Sequence, residues 1–291
     1  MKYFDVAGRE FYRSGKFVRI CGLLNAWYET VGDPESIIAS LNGRNADIFT
    51  FFQRVPHTEP KFKYHMDKYE VAVIKLSSYD YWWRECIRKT TRQSVKGAAT
   101  RGVTVQVVDF DDQFIQGIHR IYNETPIRQG KKFPHFGDSI EKVRKENGTF
   151  REKSLYLGAY YKMELVGFMK VVIEDEFADV LQLLSKMAHR DKFANNALLA
   201  KAIEVCSARS VPYLVYGDLR EGGLDDFKRR NGFTKMLLPR YYVPLTWLGK
   251  VALKAKLHES LSQKMPLPVA SALKNLRRRW YSILTERRLE V

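Results

Sequence analysis

LDDFKRRNGF, residues 224–233, reads as a short polar helix that stops at Asn231-Gly232 and runs directly into Phe233 and an apolar, aromatic stretch. Asn-Gly at the end of a periodic segment is helix-stop chemistry, because glycine enters the left-handed region without a Cβ penalty. Working outward, GFTKMLLPRYYVPL is the last strand region, and YLVYG before the quoted stretch is a short strand. NALLAKAIEVCSARS (residues 196–210) is a helix with Leu198, Leu199, Ala202, Ile203 and Cys206 on one side. Upstream of it, SLYLGAYY, ELVGFMKVVI and FADVLQLLSK form three strands joined by the tight links KME and EDE, an antiparallel meander. DDQFIQGIHRIYNE, opened by an Asp pair suited to capping, and DSIEKVRKEN are helices, preceded by the strand VTVQVVDF. From residue 103 the order is β α α β β β α β α β, which predicts an α/β fold with a mixed sheet and helices on both faces.

The flanks differ in character. Residues 1–102 contain β-rich runs at KFVRICGLL, ADIFTFFQRV and YEVAVIKL and a short helix at PESIIASLN. They end in the basic helix YDYWWRECIRKTTRQSVKGAATRG, with Trp82, Ile87 and Val95 facing inward. This portion either stands alone or completes the sheet. Residues 103–247 form the central domain. Residues 248–291 carry ten Lys and Arg against three Glu, and predict two helical pieces around the MPLP break.

With 291 residues, 45% hydrophobic and 13% aromatic, the chain has material for a substantial core, which excludes global disorder. Forty-nine Lys and Arg against 33 Asp and Glu leave +16, a surface that attracts RNA, anionic lipid or phosphate-bearing substrates. Cys21, Cys86 and Cys206 are widely spaced, and the six histidines show no ligand spacing, so no metal is expected and a reducing, cytoplasmic setting fits. MKYFDVAGREFYRSG lacks the apolar stretch of a secretory signal, and YYVPLTWLG is far too short to span a bilayer.

The element order over roughly residues 103–245, with its apolar helix after the meander and its Asn-Gly-Phe stop, resembles the GNAT (acyl-CoA N-acyltransferase) fold. FKRRNGF is similar to the helix end common in that family. IRKTTRQSVKGAATRGVTVQVVDF (residues 87–110) resembles the basic run that leads into the domain of FemAB-type transferases, a GNAT-like branch. The resemblance implies a GNAT-like mixed, twisted sheet with a β-rich N-terminal portion and a basic helical C-terminal tail. It also implies acyl or aminoacyl transfer, which FemAB-type enzymes perform from aminoacyl-tRNA onto a cell-wall precursor.

GNAT proteins bind their donor's pyrophosphate on backbone amides before the central helix. The corresponding KFANNA places Lys192 first, Asn195 where glycine is usual and Ala197 last. Arg190, Lys192, Asn195 and Asn196 are therefore the candidate donor-binding residues, and the Asn195 departure points away from acetyl-CoA. The alternative is that Asp191 or Asn195 caps the helix while the cations are solvated. In the loop TPIRQGKKFPHFG, which the resemblance places at the acceptor site, Arg128, Gln129 and Lys131 are candidate acceptor-binding residues. Glu124 and His135 are candidate bases, with a structural Glu124–Arg128 ion pair as the alternative. Tyr216 is the candidate general acid and Tyr241 a further substrate contact, unless both are core or rim residues.

The expected function is transfer of an acyl or aminoacyl group to an amine or hydroxyl on an anionic, small-molecule or lipid-linked acceptor of the cell envelope. The donor is aminoacyl-tRNA or acyl-CoA. One alternative is an acetyl-CoA-dependent N-acetyltransferase. Another is a non-catalytic binder that grips RNA or an anionic membrane through its basic segments, for which LGKVALKAKLHESL has suitable spacing on the inner face of the membrane.

Overall fold

A computed structural model describes residues 2–41, 46–219 and 223–258. In chain order the elements are β1 (Lys2–Val6), β2 (Arg9–Ser14), β3 (Ile20–Leu23), α1 (Pro34–Leu41), β4 (Ile48–Phe52) and β5 (His65–Lys75). Next come α2 (Tyr79–Tyr81), which continues as a π-helical turn through Cys86, then α3 (Lys89–Thr100), β6 (Val103–Val108) and α4 (Asp112–Tyr122). The two-residue strands β7 (Ile127–Arg128) and β8 (Lys131–Lys132), α5 (Ile140–Asn147), β9 (Ser154–Tyr161), β10 (Glu164–Ile173) and β11 (Ala178–Ser185) follow. A 3-10 segment, Met187–Lys192, leads into α6 (Ala194–Ala208), β12 (Tyr213–Val215), α7 (Gly223–Arg230), β13 (Thr234–Pro244) and α8 (Trp247–Lys254).

Two compact units arise from these elements. Among the described residues one comprises 2–70 with 236–258, and the other 71–235. The divisions therefore fall within β5 and just inside β13, not at the 102/103 and 247/248 boundaries that the sequence suggests. The basic helix α3 packs against α6 and so belongs to the second unit. Most of β13 pairs with β4 and so belongs to the first.

In the second unit the strands lie in the order β6-β9-β10-β11-β12-β5. All neighbours are antiparallel except β11 and β12, which run parallel. Alternation along β10 sends Met169 and Val171 into one core, with Leu198, Leu199, Ala202, Ile203 and Trp82, while Phe168 enters a second core with Phe114, Ile115, Ile118 and Tyr122. The first core lies under α3 and α6, and the second under α4 and α5. This is the mixed sheet with helices on both faces that the sequence predicts. The Asp111 carboxylate caps α4 by accepting from Phe114 N at 2.8 Å.

The first unit orders its strands β1-β2-β3-β4-β13 around Phe11, Phe49, Phe51 and Tyr241. Its β3 and β4 coincide with the β-rich runs of the sequence. The β1–β2 hairpin was not expected. Its turn sets both Ala7 and Gly8 at positive φ, 53° and 74°, the geometry of a two-residue hairpin that follows strand twist. Helix α8 is capped by Thr246, whose hydroxyl accepts from Gly249 N at 3.1 Å. No described helix is long and apolar enough to cross a membrane. The expected helices beyond residue 258 lie outside the described residues.

Candidate functional site

Strands β11 and β12 part company almost at once. Their parallel ladder holds only Ala178 opposite Leu214 and Asp179 opposite Val215, after which β12 ends while β11 continues to Ser185. The chain beyond β12 turns toward β5 instead, where Tyr216 N donates to Ala72 O at 3.0 Å and Ala72 N donates to Gly217 O at 2.7 Å. From Val180 to Ser185, the only strand neighbour of β11 among the described residues is β10. Every second residue of such a half-strand presents its N–H and C=O away from the ladder.

A cleft of about 460 Å³ opens at the end of β11 between α3, the start of α6 and α7. Its polar lining includes Thr90, Ser94, Ser185, Arg190, Asn195, Asn196 and Arg230, and Asp226 is the one carboxylate among the described lining residues. Arg190 and Arg230 are both exposed. The helix start is built by Phe193, which sits at φ 55°, ψ 29° and accepts from Asn196 N and Ala197 N. The left-handed residue at this helix start is thus Phe193, two positions before Asn195. First-turn N–H groups ahead of Asn196 have no intrahelical acceptor, so the helix end offers donors and a positive dipole to an anion. The Oδ1 of Asn195 is buried with no hydrogen-bond partner.

The helix stop in 224–233 shapes the opposite wall. Phe233 N donates to Lys228 O at 3.1 Å and Gly232 N to Arg229 O at 3.2 Å, a Schellman end with Gly232 at φ 88°. Asn231, which is fully buried, ties three segments together. Its carbonyl accepts from Trp82 Nε1 at 2.9 Å, its amide donates to Phe227 O at 2.7 Å, and its Oδ1 accepts from Asn196 Nδ2 at 3.4 Å. The Thr91 hydroxyl donates to Arg230 O at 2.9 Å and joins α3 to α7.

Of the residues nominated from sequence, Arg190, Asn195 and Asn196 line this cleft and the others do not. Glu124 is fully engaged: one carboxylate oxygen accepts from Met187 N (2.7 Å) and Arg128 Nη2 (3.1 Å), the other from Ala188 N (2.9 Å). Three donors hold it as a structural anion, which corrects its assignment as a base. Arg128 spends its guanidinium on Ser185 O (2.7 Å), Ile121 O (2.8 Å) and Glu124, and packs over the Phe133 ring, so it is not free to grip a substrate. Burial works against its charge, yet a guanidinium stays protonated.

His135 also changes role. Its Nδ1 lies 3.1 Å from Asp138 and its ring stacks on Tyr122, which fixes the loop to α5. His135, Asp138 and Glu146 have the mutual spacing of a metal site, but Lys142 already bridges Asp138 (2.5 Å) and approaches Glu146 (3.8 Å). Gln129 and Lys131 are exposed in the β7–β8 turn, with Gln129 at φ 52°. Lys192 sits over the Tyr161 ring beside Asp191 and not in the cleft. Tyr216 packs against Lys228 and Phe233, and burial holds its phenol protonated well above the usual range. Tyr241 belongs to the first unit's core: it is fully buried, donates to Gln53 Oε1 and accepts from Lys61 N, which corrects its assignment as a substrate contact.

The sequence reading missed Thr90, Ser94, Asp226 and Arg230. A usable signal existed on α3, where Thr90, Thr91 and Ser94 recur at helical spacing within an otherwise basic segment.

No protein-family model and no curated protein matches this chain. Solved structures do. The C-terminal domain of a putative lysylphosphatidylglycerol synthetase from Agrobacterium fabrum shares 13% identity, with 88% of each chain covered and a TM-score of 0.56. L-PGS from Bacillus licheniformis shares 13% identity over 83% of each chain, TM-score 0.55. FemX shares 11% identity, covering 79% of this chain and 83% of its own, TM-score 0.54. At these identities the likeness is one of fold: the chain folds like the lysylphosphatidylglycerol synthetase domains and FemX.

Proposed function

We propose that the protein is an aminoacyltransferase that moves an amino acid from aminoacyl-tRNA to an amine or hydroxyl on an anionic, lipid-linked acceptor of the cell envelope. The observation that carries this reading is the parting of β11 and β12 beside a cleft of about 460 Å³ capped by the start of α6. A backbone N–H freed from a ladder is a fixed dipole for the oxygen of a carbonyl under attack. Arg190 and Arg230, both exposed where they line the cleft, supply charge for the donor's phosphates. The names of the lysylphosphatidylglycerol synthetase domain and the resemblance to FemAB-type enzymes support an aminoacyl donor and an envelope acceptor.

In this reading the acceptor nitrogen or oxygen attacks the ester carbonyl, and the oxyanion that forms is held by backbone N–H groups. Collapse breaks the ester C–O bond. The acceptor's proton passes to Asp226, the one carboxylate among the described residues that line the cleft, and from there to the departing ribose oxygen. Most of the rate enhancement comes from orientation of donor and acceptor.

The test is incubation of purified protein with tRNA charged with labelled amino acids plus an envelope lipid extract, and in parallel with acetyl-CoA plus a thiol reagent. Label should enter the lipid phase with wild type, and transfer should fall at least about tenfold in Arg190→Ala and Arg230→Ala, the cost of one charge-assisted contact. Release of free coenzyme A with no movement of any amino acid would overturn the aminoacyl reading in favour of an acetyl donor.

A further inference from the structure

Away from the cleft, in the first unit, three side chains meet whose arrangement none of the foregoing uses. His65 and Asp67 stand two positions apart on β5 and so project from one face of the strand. The third, His258, arrives from the turn after α8. There Lys256 adopts φ 54°, and the bonds Lys256 N to Leu253 O (3.0 Å) and Leu257 N to Ala252 O (2.9 Å) reverse the chain. His258 Nε2 then lies 3.3 Å from His65 Nε2 and 3.3 Å from Asp67 Oδ2, and the donor atoms of all three residues fall within 4.8 Å of one another.

Within the triangle, a single proton on His258 Nε2 would face two acceptors, His65 Nε2 and Asp67 Oδ2, each at 3.3 Å. If His65 carries it and donates to His258, the His258 lone pair has been spent and Asp67 faces an atom with no proton to give. A cation at the centre satisfies all three acceptors together. Both 3.3 Å separations from His258 agree with this: a tetrahedral zinc site with bonds of about 2.0–2.1 Å sets its ligand atoms about 3.3–3.4 Å apart. Two imidazoles with one carboxylate select a borderline divalent ion over magnesium or calcium, which prefer oxygen shells. Tyr242 packs against both imidazoles, at 4.6 Å from His258 and 6.1 Å from His65 between ring centroids, and so limits their rotation.

We propose that His65, Asp67 and His258 bind a divalent transition metal of the zinc class, and that this ion pins the turn after α8 to β5. Three protein ligands leave one position for water, since His65 is exposed. The ligand set spans two neighbouring strand positions and a residue nearly two hundred positions away, which is why linear spacing of the histidines concealed it.

The experiment uses tag-free, full-length protein stripped with a chelator, then titrated with Zn²⁺ against a chromophoric competitor. One equivalent should bind and raise the melting temperature. Binding should weaken in His65→Ala and in His258→Ala by at least the roughly 10–100-fold that loss of even an outer-shell partner costs. His135→Ala, which removes the His135–Asp138–Glu146 cluster, should leave binding unchanged. Co²⁺ in place of Zn²⁺ should give the visible absorption of a four-coordinate site in wild type and not in His65→Ala. Should wild type take up no more metal than a His65→Ala/His258→Ala double variant of unchanged circular dichroism, the triangle is a hydrogen-bonded cluster and the proposal fails.

Discussion

Replacing Gly232 by alanine tests whether the helix stop is a spatial requirement as well as a conformational one. At φ 88° an alanine enters the left-handed region at a cost of about 1–2 kcal/mol. Its Cβ would also stand 3.0 Å from Cys86 Cβ, 3.2 Å from Cys86 O and 3.4 Å from Trp82 Nε1, none of them the far end of a flexible chain. Overpacking of that kind adds about 1–3 kcal/mol, so Gly232→Ala should lose about 2–5 kcal/mol in all. Two other glycines isolate the contributions. Gly8, at φ 74° with open space around it, should lose only the conformational part. Gly223, on the same helix as the stop, has open space and no positive φ, and its alanine variant should be neutral or gain up to about 1 kcal/mol. Equilibrium urea denaturation followed by tryptophan fluorescence reads all three. If Gly232→Ala is no worse than Gly8→Ala, the contact with Cys86 and Trp82 imposes no constraint, and the account of how α7 is seated fails.

Glu124→Gln should destabilise the protein by about 2–4 kcal/mol, because it leaves Arg128 with its charge uncompensated where only 9% of that side chain is exposed. The pH profile of the residual transfer should match that of wild type; a lost acidic limb with unchanged stability would instead restore Glu124 as a base. Lys170 gives a pH test: it is 1% exposed, its ammonium donates to Thr149 O and Oγ1, and burial pulls its pKa down to about 8 from 10.5. The folded state thus sheds its proton before the unfolded state does. The resulting penalty, about 3 kcal/mol, is present in full below pH 8 and disappears as pH rises toward 10.5. Wild type should therefore gain stability relative to Lys170→Met between pH 8 and 10, and a flat difference in denaturation free energy across that range would contradict the assignment.

The meander, α6 and the stop at Asn231-Gly232 were legible because each is written locally, in alternation, in helical spacing and in turn chemistry. The β1–β2 hairpin escaped because its turn is Ala7-Gly8, a weaker signal than Asn-Gly. Among the site residues, position along the chain carried Arg190, Asn195 and Asn196 to the cleft, since a helix start after a meander has a fixed place in this topology. Chemistry alone misled for Glu124, Arg128 and His135. Each is the residue type a catalytic loop would use, but their partners are Met187 and Ala188 N–H groups, Ser185 O and Asp138, and only the first two sets of partners lie far off in sequence. His135 was readable in principle from its Asp138 neighbour. Tyr241 was not, because its depth depends on Gln53 and Lys61, which the fold brings across from the other end of the chain.

The loop residues that proved structural explain how the cleft can exist. A strand end released by its parallel neighbour leaves polar backbone groups that demand partners. At the end of β11 one of them is met from the loop between α4 and β8, where Arg128 takes Ser185 O, and Glu124 takes Met187 N and Ala188 N just beyond the strand. Because Glu124 and Arg128 also bind each other, they hold the chain on its course from Ser185 into the 3-10 segment, toward Arg190 and the start of α6. Pairing with β12 would have satisfied the same strand while closing the gap. The ion pair thus substitutes for the missing ladder on one side of the cleft, as the Asn231 bridge to Trp82 and Asn196 fixes the other. A charged pair placed beside a cleft can contribute to chemistry without touching substrate, by keeping open the strand edge at which substrate is held.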